Sequence, residues 1–169
     1  HGGGNTSGMT SEYNPQKLVA SQNVIVVTIS YRLGIFGWFS HPELRNRSDG
    51  LDASANFGLL DQIKALEWLR DNIENFGGDS NNITIFGESA GGQNVIALYV
   101  SPLAKGLFHR AISQSGGITL TSIADSEEID RISYPLNGNY KYRHKTTKEF
   151  INNLLNKGII NTHLNETGN

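Results

Sequence analysis

One stretch, Ile83-Thr84-Ile85-Phe86-Gly87-Glu88-Ser89-Ala90-Gly91-Gly92, restricts this chain to very few folds. It reads as a short buried strand, a sharp turn carrying a serine, and the start of a helix that continues through the apolar run Val95 to Val100. Gly87-Glu88-Ser89-Ala90-Gly91 fits the G-x-S-x-G pattern, in which the serine occupies a strained strand-to-helix turn and its hydroxyl projects above the sheet. The two glycines matter sterically, because strand and helix can pass closely when neither carries a Cβ. The helix also turns its positive end toward the serine, which favours negative charge developing there. The competing reading is a glycine-rich turn without chemistry. A phosphate-cradling loop would need a Gly-Lys-Ser/Thr ending that this stretch lacks.

His1-Gly2-Gly3-Gly4 is the second chemical signal. Adjacent glycines leave the backbone free to turn its N–H groups toward a common point, and such a run can form the other half of an oxyanion hole beside a G-x-S-x-G turn. By itself it would fit a flexible linker. The 169 residues suffice for one domain with a real core. A formal net charge of −2 gives no electrostatic case for a nucleic-acid or anionic-membrane partner. The chain has no cysteine, which removes disulfides, thiolate metal sites and cysteine nucleophiles without fixing a compartment. No apolar run approaches the length of a membrane span. The chain opens on histidine and ends on Asn165-Glu166-Thr167-Gly168-Asn169, so a fragment of a longer protein is expected and the lack of a signal peptide is uninformative.

Asn23 to Ser30 is a continuous β-branched run, the pattern of a central strand in a parallel sheet covered on both faces. A glycine-punctuated aromatic loop follows, and Ser40 to Asn56 reads as polar surface loop, with His41 as a structural rather than catalytic residue. Leu59, Ile63, Leu66, Leu69, Ile73 and Phe76 recur at helical steps and predict an amphipathic helix with this stripe in the core, ended by Gly77-Gly78. The strand–helix–strand–helix order predicts a crossover unit in a parallel sheet. Arg110 to Gly117 reads as a third strand ending at a Gly-Gly turn, with Ser115 on the same rim as Ser89 or simply satisfying a turn. Asp125, Glu127, Glu128 and Asp130 form an acidic cluster whose default is solvated surface. Tyr140, Tyr142, Arg143, His144 and Lys145 form a patch too short to argue nucleic-acid binding. Thr146 to Asn156 reads as a helix with a capping-box start.

Taken together, the sequence resembles the type-B carboxylesterases, the cholinesterase-like branch of the α/β-hydrolase fold. The carriers are His1-Gly2-Gly3-Gly4, Ser30-Tyr31-Arg32-Leu33-Gly34, Asn56-Phe57-Gly58-Leu59-Leu60-Asp61-Gln62, Asn75-Phe76-Gly77-Gly78-Asp79, the Gly87 to Gly92 turn, and Phe108-His109-Arg110-Ala111-Ile112 with Gln114-Ser115-Gly116. They stand in the family's order over residues 1–117, and the motifs fade over 118–169. Ser40-His41-Pro42-Glu43-Leu44 and the lack of cysteine look more like bacterial members. The resemblance implies one partial α/β-hydrolase catalytic domain over 1–169, a mostly parallel sheet with crossover helices, and a secreted or periplasmic location as one option. It implies Ser89 as nucleophile, the N–H groups of Gly3, Gly4 and Ala90 as oxyanion hole, and Glu88 and Ser115 beside the triad. Asp61 and Arg32 resemble scaffold positions. No cofactor or metal is implied, and the partner is a small-molecule ester.

A serine hydroxyl needs a base to take its proton and a third group to orient that base. In this fold the order is Ser, then Asp or Glu, then His. Family members place the acid and histidine further along than this chain extends, so the expectation is a fragment that carries nucleophile and oxyanion hole but shows little turnover. Its few parallel strands, with hydrophobic edges uncovered, should also fold poorly alone. His109, His144 and His163 follow Ser89, but His109 sits in a scaffold motif. The competing class is a cholinesterase-like interaction domain that keeps the fold without the chemistry, against which Ser89 and the intact glycine run argue. A truncated gene product is a third reading.

Overall fold

The computed structural model describes residues 1–117 and Ser122. The chain divides into two units, His1–Leu120 and Thr121–Asn169. The acidic cluster, the basic-aromatic patch, the expected helix over Thr146 to Asn156, and both His144 and His163 lie outside the described residues.

Five α-helices are described: α1 (Gln16–Gln22), α2 (Ile35–Trp38), α3 (Pro42–Arg47), α4 (Phe57–Asn72) and α5 (Ala90–Val100). Two strands, β1 (Thr84–Glu88) and β2 (Arg110–Gln114), pair in parallel, with Thr84 opposite Arg110 and Glu88 opposite Gln114. Parallel neighbours need a crossover, and α5 supplies it. The core lies where α4, β1 and α5 meet. Ile63, Leu66 and Leu69 from α4, with Ile73 just beyond it, pack with Ile85 of β1, Val95 and Leu98 of α5, and Ala104 and Leu107 from the following turn. The helical spacing of the α4 residues puts them on one stripe, so one face can be apolar while Lys64 and Glu67 pair on the other.

Three expectations are corrected. Asn23 to Ser30 is not part of the sheet: β1 and β2 form a two-stranded sheet, and among the described residues no strand pairs with 23–30. A β-branched sequence can hold an extended backbone, but a strand exists only where a neighbour takes up its backbone groups. Val24, Ile25 and Val27 remain exposed accordingly. Ser40 to Asn56 is helical in part rather than loop, with α3 and a 3-10 turn at Gly50–Ser54. Phe76 falls off the core stripe and is 64% exposed. The chain tightens to a 3-10 turn at Ile73–Phe76, which changes the angular step per residue and carries Phe76 outward to lie against Trp68, ring centroids 6.0 Å apart. Gly77 then ends the turn in the left-handed region at φ 80°. His41 is buried. No described helix is long and apolar enough to cross a membrane.

Candidate active site

Ser89 stands between β1 and α5 at φ 55°, ψ −119°. A side-chain-bearing residue in this region is strained, and it persists only where surrounding structure holds it. Two hydrogen bonds do so. The Ser89 N–H donates to the Gln114 carbonyl at 2.9 Å, extending the β1–β2 ladder by one residue, and the Ser89 carbonyl accepts from Gln93 N–H at 3.0 Å in the first turn of α5. With both backbone groups committed, the side chain is left on the exposed rim. The close pass of strand and helix is literal: a Cβ on Gly87 would lie 2.5 Å from the Gly91 carbonyl carbon and oxygen.

The amino-terminal glycines lie against this turn. A Cβ on Gly2 would stand 2.9 Å from the Glu88 carbonyl oxygen, 3.2 Å from Glu88 Oε2 and 3.3 Å from Ser89 Cβ. Gly3 and Gly4 follow at φ 97° and 62°, in a tight turn whose Gly3 carbonyl accepts the N–H groups of Thr6 and Ser7, each at 3.1 Å. Among the described residues the N–H groups of Gly3 and Gly4 have no hydrogen-bond acceptor. Ala90 is buried and opens α5, where no preceding helical carbonyl exists to take its N–H. Glu88 ends β1, next to Gly2. Ser115 directly follows β2, so the parallel register sets it beside Ser89, and it too has a positive φ, 52°.

Sequence reasoning missed the side chains that tether the glycine loop. Asn94, 6% exposed on α5, donates to Asn5 Oδ1 at 2.9 Å, and Asn5 Nδ2 returns a longer bond of 3.4 Å. The Tyr31 hydroxyl donates to the His1 carbonyl at 2.6 Å, and the His1 imidazole stacks on the Tyr31 ring at 4.3 Å. Burial raises the Tyr31 phenol above its ordinary pKa, partly offset by a hydrogen bond with Asn94. The Gly2 N–H donates to the Tyr13 hydroxyl at 2.8 Å. The available signal was the amide pair Gln93-Asn94, set one turn into a helix whose remaining residues are mostly small or apolar.

Arg32 and Asp61 form a fork: Arg32 Nε and an end nitrogen reach the two Asp61 oxygens at 2.8 and 2.7 Å, and the Arg32 backbone N–H adds a third bond at 2.9 Å. The Arg32 hydrogen bonds hold the Asp61 carboxyl below its ordinary value, against a smaller opposing effect of desolvation. The guanidinium also lies over the Phe57 ring at 5.0 Å. This pins residue 32 to α4. His109 lies at the opposite end of β1 from Ser89, its Nδ1 accepting the Ile83 N–H at 3.2 Å. Six residues of strand separate that point from Ser89, about 20 Å. Among the described residues no group of three or more His, Cys, Asp or Glu side chains is placed to hold a metal ion.

The Carboxylesterase family model matches residues 1–162. Carboxylesterase 1D of Rattus norvegicus is 51% identical over 140 residues, 82% of this chain and 24% of that protein. The medium-chain fatty acyl-CoA hydrolase precursor of Anas platyrhynchos is 55% identical over 116 residues, 69% of this chain and 20% of that protein. These are animal proteins, so the likeness is not confined to bacterial members. Among solved structures, a thermophilic PNB esterase aligns at a TM-score of 0.68 with 45% identity, over 75% of this chain and 26% of that one. A PNB esterase aligns at 0.62 with 49% identity, over 69% and 24%. The chain thus spans about a quarter of the length of these relatives. The parallel β1–α5–β2 unit with a strained serine at its turn is part of an α/β-hydrolase fold, and with a family match over residues 1–162 the chain belongs to the carboxylesterase family.

Proposed function

We propose that this chain carries the acyl-transfer half of a serine esterase, with Ser89 as the nucleophile. Ser89 Oγ attacks the carbonyl of a carboxylic ester, and the N–H groups of Gly3, Gly4 and Ala90 hold the oxyanion of the tetrahedral intermediate. The alcohol leaves, and water then releases the acid from the acyl-enzyme. The observation that supports this reading best is the seating of Gly2 against Glu88 and Ser89, which brings the glycine turn next to a serine held at positive φ. Each oxyanion donor of this kind is worth about 3–4 kcal/mol to the transition state. Glu88 and Ser115, on the same rim, serve as hydrogen-bonding neighbours of the reacting group.

A general base has to take the Ser89 proton. Among the described residues no imidazole hydrogen-bonds to the Ser89 hydroxyl: His109 is committed to Ile83, and His1 is stacked on Tyr31. In this reading the base and its orienting carboxylate come from outside the described residues. The test is hydrolysis of p-nitrophenyl acetate by the full-length polypeptide that carries this chain, native and with Ser89→Ala. Loss of the nucleophile should lower kcat by at least about 10³-fold. A Ser89→Ala protein that retains the native rate would remove Ser89 from the chemistry.

A further inference from the structure

Each amide proposed as an oxyanion donor shares a peptide unit with the carbonyl of the residue before it. The unit is planar and trans, so its N–H and C=O point in opposite directions, and whatever grips the oxygen also fixes where the N–H points. In all of these units the oxygen is taken. The Ser89 carbonyl, in the unit that carries the Ala90 N–H, accepts from Gln93 N–H at 3.0 Å. The Gly2 carbonyl, in the unit that carries the Gly3 N–H, lies 2.8 Å from His1 Nδ1. The Gly3 carbonyl, in the unit that carries the Gly4 N–H, gathers four donors. The N–H groups of Thr6 and Ser7 each donate to it at 3.1 Å, the Thr6 hydroxyl at 3.1 Å and the Ser7 hydroxyl at 3.3 Å.

That is more than the turn requires. A carbonyl oxygen has two lone pairs, and the two N–H groups already occupy them while closing the turn. The hydroxyls are therefore surplus to the backbone's shape. Both belong to exposed residues, so their bonds compete with water and add little to stability. Their effect falls on the other end of the peptide. Donors on a carbonyl draw electron density toward its oxygen and deepen the C–N double-bond character, which leaves the N–H more positive. The Gly4 N–H, without an acceptor among the described residues, is where that polarisation emerges.

We propose that Thr6 and Ser7 are positioning residues for ester hydrolysis: their hydroxyls hold and polarise the Gly3–Gly4 peptide, which makes the Gly4 N–H a stronger donor to the oxyanion. This role rests on the acyl-transfer reading of Ser89 and the glycine turn. Neither hydroxyl has to touch the ester. Their contribution grows with the negative charge on the reacting oxygen, so it belongs to the transition state rather than to ground-state binding. One oxyanion donor supplies about 10²- to 10³-fold in kcat, and one hydrogen bond strengthens the next by about 10–30%. Taken on the logarithmic scale, each hydroxyl is worth about 2- to 8-fold.

The test uses the full-length polypeptide that carries this chain, with p-nitrophenyl acetate as substrate. Thr6→Val keeps the side chain's shape without its hydroxyl, and Ser7→Ala removes the other. Each should lower kcat about 2- to 8-fold, and the two together at least about fourfold, with KM within about twofold of native. Thr6→Ser, which restores a hydroxyl, should keep the native kcat. A trifluoromethyl ketone takes the serine oxygen onto its carbonyl carbon and leaves an oxyanion behind, so its Ki should rise by the factor that kcat/KM falls. Amide exchange at Ser7 reports on the turn itself and should change by less than about twofold, because the N–H bonds to Gly3 remain. Native kcat and Ki in the double variant, with Ser89→Ala inactive, would overturn the role of the hydroxyls and leave Ser89 as nucleophile. A fall in kcat matched by lost protection at Ser7 would overturn it as well, since the hydroxyls would then be holding the turn rather than polarising an amide. A Ser89→Ala protein at the native rate would remove the proposal by removing the acyl-transfer reading beneath it.

Discussion

The Asn5–Asn94 pair offers a direct measure of how the glycine loop is held. It joins residues far apart in sequence, and Asn94 is nearly inaccessible to water. The 2.9 Å bond from Asn94 to Asn5 is a full hydrogen bond, worth about 0.5–1.5 kcal/mol net, whereas the 3.4 Å return bond adds little. Asn94→Ala removes the bond and also the contact with Tyr31. Asn5 is only half-buried and rehydrates, so no orphan penalty follows on its side. Loop opening should then be favoured by about 1–2 kcal/mol, which is a rise of roughly 5- to 30-fold in the opening constant. The partner substitution should be Asn5→Gly, because Asn5 sits at φ 57° and alanine would add backbone strain of its own. Asn5→Gly leaves the Asn94 amide buried, so the single change should cost as much as Asn94→Ala and the double change less than their sum. The assay is amide exchange at Gly34 and Ser7, whose N–H groups bond to the Asn5 and Gly3 carbonyls at 2.7 and 3.1 Å. Additive effects, with a coupling within about 0.3 kcal/mol of zero, would refute the claim that this pair closes the loop.

Ser89→Gly should raise the thermal midpoint, because glycine occupies φ 55°, ψ −119° without the strain of order 1 kcal/mol that serine bears there, whereas Ser89→Ala should leave it nearly unchanged. A midpoint that moves equally in both variants would show that the turn stores no strain at this residue. For Asp61 the sign follows from its lowered carboxyl pKa. The contribution to stability is complete above the unfolded value of about 3.8 and is lost as pH falls through the lower folded value. Asp61→Asn should therefore flatten the stability profile below about pH 4 and cost no more than about 1 kcal/mol at neutral pH, since the Arg32 side chain is half exposed. Acid titration of urea midpoints for both proteins decides it, and parallel profiles would count against the fork.

What the sequence disclosed is what local pattern encodes. The turn at Ser89, the α4 stripe from Leu59 to Ile73 and the strand at Arg110 each follow from spacing within about twenty residues, and each is present. Residues 23–30 show the limit. β-branching marked the segment as strand-prone, but membership of a sheet depends on a neighbour, and side-chain pattern carries no record of which backbone lies alongside. Ser40 to Asn56 failed for the opposite reason. Polar residues suit a loop, yet Pro42 can open a helix because its missing N–H is not needed in the first turn. At the site, the motif glycines and Ser89 were legible because only certain residues tolerate those backbone angles. Asn94, Tyr31 and Tyr13 were not, since an amide or phenol on an apolar background gives no indication of the distant carbonyl or amide it meets.

That division has a physical origin. Glycines can turn their amides toward a common point because they lack side chains, and for the same reason they cannot hold themselves there. Gly3 and Gly4 have open backbone freedom to lose, about 1–2 kcal/mol per residue on ordering. The compensation must come from elsewhere: Tyr13 on the Gly2 amide, Tyr31 on the His1 carbonyl and Asn94 on Asn5. The Ser89 strain is carried in the same way, by Gln114 on one side and Gln93 on the other. If Ser89 and the Gly3 and Gly4 amides act as proposed, they are held in place by Tyr13, Tyr31, Asn94, Gln93 and Gln114. It follows that substitutions at Tyr31 or Asn94 should lower kcat more than they raise KM, since they loosen the alignment of donors that matters most in the transition state.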